Sequence, residues 1–249
     1  MPAPDRTRFA GMLAIVRYNW PFYLVATLVL VAATILIVSV SNPWIFWASM
    51  AAALGSLWFL AGSLVTSHWV YDRSPLYRWD WLRGLSGDPP PKEAIVCVSG
   101  FDEASEALGA VMPETSFTVL DHYDADRMTE ASIHRARRAF PPGPDALAAP
   151  FDRWPEIHAD LIVGPLSIHE LRSDAERATW FSQAKDALNP GGRIVIVEHV
   201  RDLANFIAFG PGFMHFHPAS SWQACWESAG LEPASQFRIT PFVRVFVLQ

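Results

Sequence analysis

Cysteine is nearly absent: Cys97 and Cys225 are the only two in 249 residues. So few thiols exclude a disulfide framework and a cysteine zinc set, and they suit a reduced compartment. An excess of basic residues is lacking as well. The formal net charge is -6, so no nucleic-acid partner held by phosphate contacts is expected. The most telling absence is local: no Asp, Glu, Lys or Arg occurs from Tyr18 to Tyr71. A bilayer core takes roughly 20 apolar residues per helix. The uncharged stretch holds two such runs, residues 20–40 and 44–65, divided by the turn signal Ser41-Asn42-Pro43. The expectation is a transmembrane hairpin within residues 1–70.

Arg6, Arg8 and Arg17 precede the hairpin, Arg73, Arg78 and Arg83 follow it, and its turn carries no charge. Positive flanks stay cytoplasmic, so a multi-pass protein of the inner membrane is expected, with both termini and the remaining chain in the cytoplasm and the lipid bilayer as a partner. Tyr18, Trp20, Tyr23, Trp44, Trp47, Trp69 and Tyr71 mark the borders, where aromatic rings favour the headgroup layer. A buried hairpin of a soluble core and a cleaved signal peptide are the alternatives; length and flanking charge favour the membrane. Residues 71–91 read as a juxtamembrane linker, a lid over a cleft, or a segment packed on the globular body. They end in the stiff spacer Gly87-Asp88-Pro89-Pro90-Pro91.

From residue 92 onward, apolar runs alternate with helical stretches. Runs such as Ile194-Val195-Ile196-Val197 lack polar alternation, so they read as strands covered on both faces. Strands are expected at 94–98, 116–120, 145–149, 160–163 and 193–197. Helices are expected from about 105 to 110, 126 to 140 and 173 to 188, followed by a helix at 220–229 and extended segments at 234–240 and 242–248. Between the third helix and the fifth strand lies Leu188-Asn189-Pro190-Gly191-Gly192, where proline stops a helix and glycines take angles closed to other residues.

The stretch from Asp160 to Asp202, with its Asn-Pro-Gly-Gly turn, resembles the second half of class I S-adenosylmethionine (SAM)-dependent methyltransferases, type 11-like, and the likeness extends from residue 92 to the end. It implies an α/β fold with a seven-stranded, mostly parallel, doubly wound sheet (residues 92–249), and SAM as cofactor. It further implies that Asp121, after the second strand, accepts hydrogen bonds from the ribose hydroxyls, and that His122 packs against adenine. Gly143-Pro144-Asp145-Ala146 is similar to the family's adenine-contacting segment, with Asp145 and Ala146 at the matching positions. Gly164, ending the fourth strand, borders the same crevice. The first loop, Ser99-Gly100-Phe101-Asp102-Glu103, has one glycine where the family has a Gly-x-Gly-x-Gly pattern. Asp102 or Glu103 is expected to meet the cofactor's ammonium group, and either the cofactor shifts or the pocket has lost it.

Methyl transfer needs an in-line approach, exclusion of water and, for a protonated acceptor, a base. His169 and Glu170 after the fourth strand, Glu198 and His199 at the end of the fifth, and His215 and His217 in the segment 210–218 are expected to converge on one mouth. His169, Glu198, His199 and His215 are the catalytic candidates. A divalent metal held by His169, Glu170, Glu198, His199 and His215 is an alternative, since imidazoles and carboxylates suit metals, but no close-spaced ligand motif marks such a site and none is expected. The expected function is methylation of a lipid-like or membrane-partitioning small molecule. A membrane-tethered binding or assembly domain without activity is the alternative, and a metal-dependent hydrolase or isomerase on the same sheet is a third. The sequence leaves the oligomeric state open.

Overall fold

The computed structural model describes residues 7–87 and 89–249; Arg6 and Asp88, part of the flank and spacer readings, lie outside them. The chain opens with a short helix that sequence reading missed, α1 (Ala10–Tyr18), followed by α2 (Trp20–Ser39) and α3 (Pro43–Ser67). The turn falls where Ser41-Asn42-Pro43 predicts it, and Asn42 caps α3 by accepting the backbone N–H of Trp44 (2.9 Å). Both long helices are apolar and long enough to cross a membrane. Their outward faces bear large exposed side chains, among them Phe22, Val38, Trp44 and Trp47. Between them the contact is made by small residues: Ser49, Ser56 and Ser63, one heptad apart on α3, are buried, and Tyr23 shares a 2.7 Å hydrogen bond with Ser63. Small side chains let helix backbones approach, as membrane helices require.

The helix α3 runs on as a π-turn, His68–Arg73, and two 3-10 turns, Leu76–Arg78 and Asp80–Leu82. Of the three readings of this stretch, packing on the globular body is the one that its buried side chains fit. Val70, Leu76, Trp79 and Leu82 are buried in one core cluster with Val96, Val163, Val195 and Val245 of the sheet. Asp72 turns back to cap α1, accepting from the backbone N–H of Gly11 (2.6 Å) and Met12 (3.1 Å).

The sheet contains β1 (Glu93–Val98), β2 (Ser116–Asp121), β3 (Leu147–Ala148), β4 (Ala159–Pro165), β5 (Leu188–His199), β6 (Pro233–Thr240) and β7 (Val243–Leu248). Their order is β3-β2-β1-β4-β5-β7-β6. The first five pair in parallel and β7 runs antiparallel to β5 and β6. The intervening helices are α4 (Ser105–Val111), α5 (Ala131–Ala139), α6 (Asp174–Asp186), α7 (Leu203–Phe209) and α8 (Ala219–Ser228). One sheet face buries Trp180, Phe181, Trp222 and Trp226 of α6 and α8; the segment from Val70 to Leu82 and Leu108 of α4 cover the other.

Three boundaries differ from expectation. The strand β5 begins at Leu188, because the Asn-Pro-Gly-Gly turn pairs as a bulged strand start beside Ala159. A Cβ on Gly192 would stand 2.9 Å from two backbone carbonyl oxygens, so glycine is required there. The helix α5 begins after Glu130 rather than at 126, since Asp124 spends its carboxylate on a turn, accepting from Asp126 N–H (2.9 Å). Residues 203–209, unassigned from sequence, form α7, and the segment 210–218, expected as a loop, begins with a 3-10 helix, Gly210–His215.

Candidate active site

Strand order reverses between β1 and β4, and in such sheets the crevice that takes ligands lies beyond the carboxyl ends of the strands at that point. On its β4–β5 side stands a tightly held polar cluster. Leu166 takes a left-handed backbone (φ 53), an unusual state for a bulky residue, and turns the chain into the 3-10 helix Ile168–Glu170. Glu198 at the end of β5 is fully buried. Its Oε1 accepts the backbone N–H groups of Ile168 (2.9 Å) and His169 (3.1 Å), and its Oε2 bonds His169 Nδ1 (2.7 Å). His169 Nε2 lies 3.4 Å from Glu170 Oε1, and His215 Nε2 lies 3.6 Å from the same oxygen. His215 Nδ1 meets Glu130 Oε1 at 3.0 Å. Arg172 donates to the carbonyls of His169 (3.1 Å) and His215 (2.6 Å), tying the two segments together.

Electrostatics follow from this packing. Burial works against charge on His169, but the Glu198 and Glu170 carboxylates outweigh it and lift its pKa to about 10. Burial would raise Glu170, yet His169 and His215 draw it well below the usual carboxylate range. His215 is raised, Glu130 and Glu170 outweighing its burial.

The expectation that Glu198 and His199 face one cleft fails, because successive strand residues point to opposite faces. His199 lies on the other side. Its Nδ1 bonds the Phe242 carbonyl (2.9 Å), so that nitrogen carries the proton and Nε2 accepts the Tyr71 hydroxyl (2.8 Å). Burial, aided by the nearby charge of His169, pushes its pKa down to about 4. His217 is likewise interior, with Nε2 near Arg177 (2.8 Å) and the His169 carbonyl (3.0 Å). Burial and the Arg177 charge lower its pKa to about 3.

The same alternation corrects His122. Its neighbour Asp121 ends β2 at the crevice, whereas His122 enters the core, stacked on Trp154. Its Nδ1 donates to the Ala149 carbonyl (2.8 Å) and its Nε2 accepts the Trp180 indole N–H (3.0 Å), so it packs against protein and not adenine. Gly164 is corrected too: the space a side chain would fill is taken by Ile168 (2.7 Å) and Ile196 (3.0 Å). Asp102 faces its own helix, accepting the N–H groups of Ala104 and Ser105 (both 3.0 Å). Glu103 accepts the Tyr77 hydroxyl (2.7 Å).

The remaining crevice residues lie near the ends of β1, β2 and β3. Gly100 has φ 114, the backbone freedom that a close turn after β1 demands. Ser99 Oγ is buried without a hydrogen-bond partner among the described residues. Phe101 packs against Tyr18 of α1, ring centroids 6.1 Å apart, and the exposed Asp145 and half-buried Ala146 lie in a turn before β3 closed by the Ala146 N–H on the Gly143 carbonyl (3.0 Å). At this end sequence reading missed Arg137 of α5. It pairs with Asp121 (2.8 Å), donates to the Gly100 carbonyl (3.2 Å) and lies over the Tyr123 ring (4.3 Å). Its place in Arg135-Ala136-Arg137-Arg138 reads as a solvated helix end, so the sequence gives no distinct signal for it.

No family model matches the sequence, nor does any curated protein. Solved structures do. Mitomycin 7-O-methyltransferase aligns over 99% of this chain and 73% of its own, at 15% identity and TM-score 0.53. An O-methyltransferase family 2 protein from Planctomyces limnophilus, in complex with apigenin, aligns over 83% and 68%, at 13% identity and TM-score 0.53. Human N-acetylserotonin methyltransferase, in complex with SAM, aligns over 97% and 70%, at 15% identity and TM-score 0.50. The chain has the class I methyltransferase fold. In that fold the strand-end residues suit SAM: an orphaned Ser99 hydroxyl, a Gly100 turn and a carboxylate at Asp121 line the crevice, provided that Arg137 yields Asp121.

Proposed function

We propose that the protein is a SAM-dependent methyltransferase, anchored in the inner membrane by its hairpin, that methylates a lipid-like or membrane-partitioning small molecule. The observation that carries this is the buried His169–Glu198 pair at the strand-end crevice of a methyltransferase sheet. When bound, SAM supplies a methyl carbon on a sulfonium for in-line attack by an acceptor lone pair. Ser99, Gly100, Asp121 and the Asp145–Ala146 turn would hold it. Glu198 fixes the His169 ring through three hydrogen bonds to one short segment, so that His169, Glu170 and His215 line the acceptor side. Such positioning is where most of the acceleration of a methyl transfer arises.

The surface of α7 suits an acceptor that arrives from the bilayer. Leu203 and Ile207 are exposed there, as is Met214 beyond it. Trp58 of α3 donates to the Ile207 carbonyl (2.9 Å), so this apolar surface is continuous with a helix that has the length and composition of a membrane span. An acceptor confined to the same thin layer meets the site at a raised effective concentration. The arginine flanks support cytoplasmic termini and a cytoplasmic catalytic domain.

The test is transfer of label from methyl-labelled SAM into the organic extract of membranes containing the protein. Label is expected with wild type and not with a folded His169→Ala variant, and extraction by alkaline carbonate should leave the protein in the membrane. A second reading, an inactive methyltransferase-like binding domain, is favoured by one observation: Arg137, Tyr123 and Ile133 close over Gly100 and Asp121. Absence of both label transfer and SAM binding would make it the better account.

A further inference from the structure

The loose contacts at Glu170 differ in kind from the tight ones behind them. Both Nδ1 atoms of His169 and His215 reach carboxylates at hydrogen-bond distance, 2.7 Å to Glu198 and 3.0 Å to Glu130. Both Nε2 atoms instead converge on Glu170 Oε1 at 3.4 and 3.6 Å, longer than good hydrogen bonds of about 2.7–3.2 Å. Ligands of a tetrahedral ion with bonds of about 2.0–2.1 Å stand about 3.4 Å apart. One ligand atom from each of His169, Glu170 and His215 lies within 4.8 Å of the others. We propose that His169 Nε2, His215 Nε2 and the Glu170 carboxylate bind a divalent first-row metal ion, with Glu198 and Glu130 as the outer carboxylates that orient the two imidazoles.

Three features carry the proposal. Metal-ligating histidines characteristically give their other ring nitrogen to a carboxylate or carbonyl, which fixes tautomer and orientation, and both rings here do so. The charges leave room for a dication: Glu130, Glu170 and Glu198 face the cluster against the one Arg172 guanidinium, which donates to the carbonyls of the two ligand segments and lies 3.5 Å from His215 Nδ1, on the side of that ring away from the proposed ion. The donor set of two imidazoles and one carboxylate is that of open zinc and iron(II) sites, which keep positions for a further ligand. No ligand spacing in the sequence marks the set, because His169 and Glu170 are adjacent while His215 arrives from the 3-10 helix Gly210–His215. What the metal would do rests on the methyl-transfer reading. An open position would hold the acceptor through an oxygen or a thiolate sulfur, which narrows the acceptor class to hydroxylated rings, enols and thiols.

Zinc is the probe. Full-length protein without an affinity tag, stripped with a chelator in detergent, is dialysed against zinc and analysed for metal. One zinc per chain is expected. Glu130→Gln, a half-exposed outer carboxylate, should weaken zinc binding by about tenfold; Glu170→Gln and His215→Ala should weaken it more, and His158→Ala, an exposed histidine elsewhere, should not weaken it. Cobalt(II) in place of zinc should give visible absorption that His215→Ala abolishes. Folded wild type that retains no zinc, or retention indifferent to both Glu170→Gln and His215→Ala, would overturn the proposal. SAM calorimetry on the same samples separates the two readings: zinc without SAM binding removes the methyl-transfer role, and SAM binding without zinc removes only the metal.

Discussion

The β4–β5 end of the crevice and the β1–β2 end are built from the same kind of strand terminus, yet their charges are held differently. At the first, Glu198 is fully enclosed and grips backbone N–H groups as well as His169. At the second, Asp121 is paired with the partly exposed Arg137 on a neighbouring helix. The first arrangement is fixed by the fold; the second can be exchanged for a ligand. The comparison teaches that preorganisation is concentrated where the acceptor would sit, while the cofactor side carries a removable partner.

The largest effect should come from breaking the enclosed carboxylate. Glu198→Ala leaves the buried His169 ring and two buried N–H groups without their acceptor, and each buried donor so stranded costs about 1–3 kcal/mol, readable as a lowered Tm in detergent. Asp121→Ala should leave the Tm nearly unchanged and instead weaken SAM binding by about 2 kcal/mol, through lost acceptance from the ribose hydroxyls. Equal destabilisation by the two variants would erase the contrast.

A pH profile sharpens it. His122 and His199 are held near pKa 4 in the fold, against 6.5 ordinarily. Between those values the unfolded chain binds more protons, so stability rises with pH. The contribution is complete above about 6.5 and is lost as the pH falls toward about 4, at up to about 1.4 kcal/mol per pH unit for each group. His122→Gln, whose amide can serve both the Ala149 carbonyl and the Trp180 indole, should flatten that acid limb; an unaltered limb in His122→Gln would exclude His122 as a source. The smallest effect concerns the latch. Arg137→Ala should tighten SAM binding by about 1 kcal/mol, the scale of a partly exposed ion pair. A weakened affinity would instead make Arg137 part of the cofactor site.

Much of the fold was legible from pattern. The β-branched runs gave the buried strands, and Asn42-Pro43 gave the hairpin turn, because these signals are local. The positions of Asp121 and Glu198 at strand ends followed from the same runs. His122 and His199 were misdirected by their adjacency to those residues, since the pleat sends neighbours to opposite faces. Arg137, Tyr71 and Glu130 were missed because nothing local distinguishes a helix-end arginine, an aromatic beside a long apolar helix or a helix-start glutamate from solvated residues. Their roles arise only from tertiary packing. The burial of Leu76, Trp79 and Leu82 was obscured by the charges Asp72, Arg73, Arg78 and Asp80 interspersed among them.

Direct calorimetry of the full-length protein with SAM and with its demethylated product addresses the central claim most closely. Saturable binding of both, weakened in folded Asp121→Ala, is the result expected of a methyltransferase whose cofactor displaces Arg137. No heat of binding from either compound, in protein that is folded and remains unresponsive after Arg137→Ala, would contradict it.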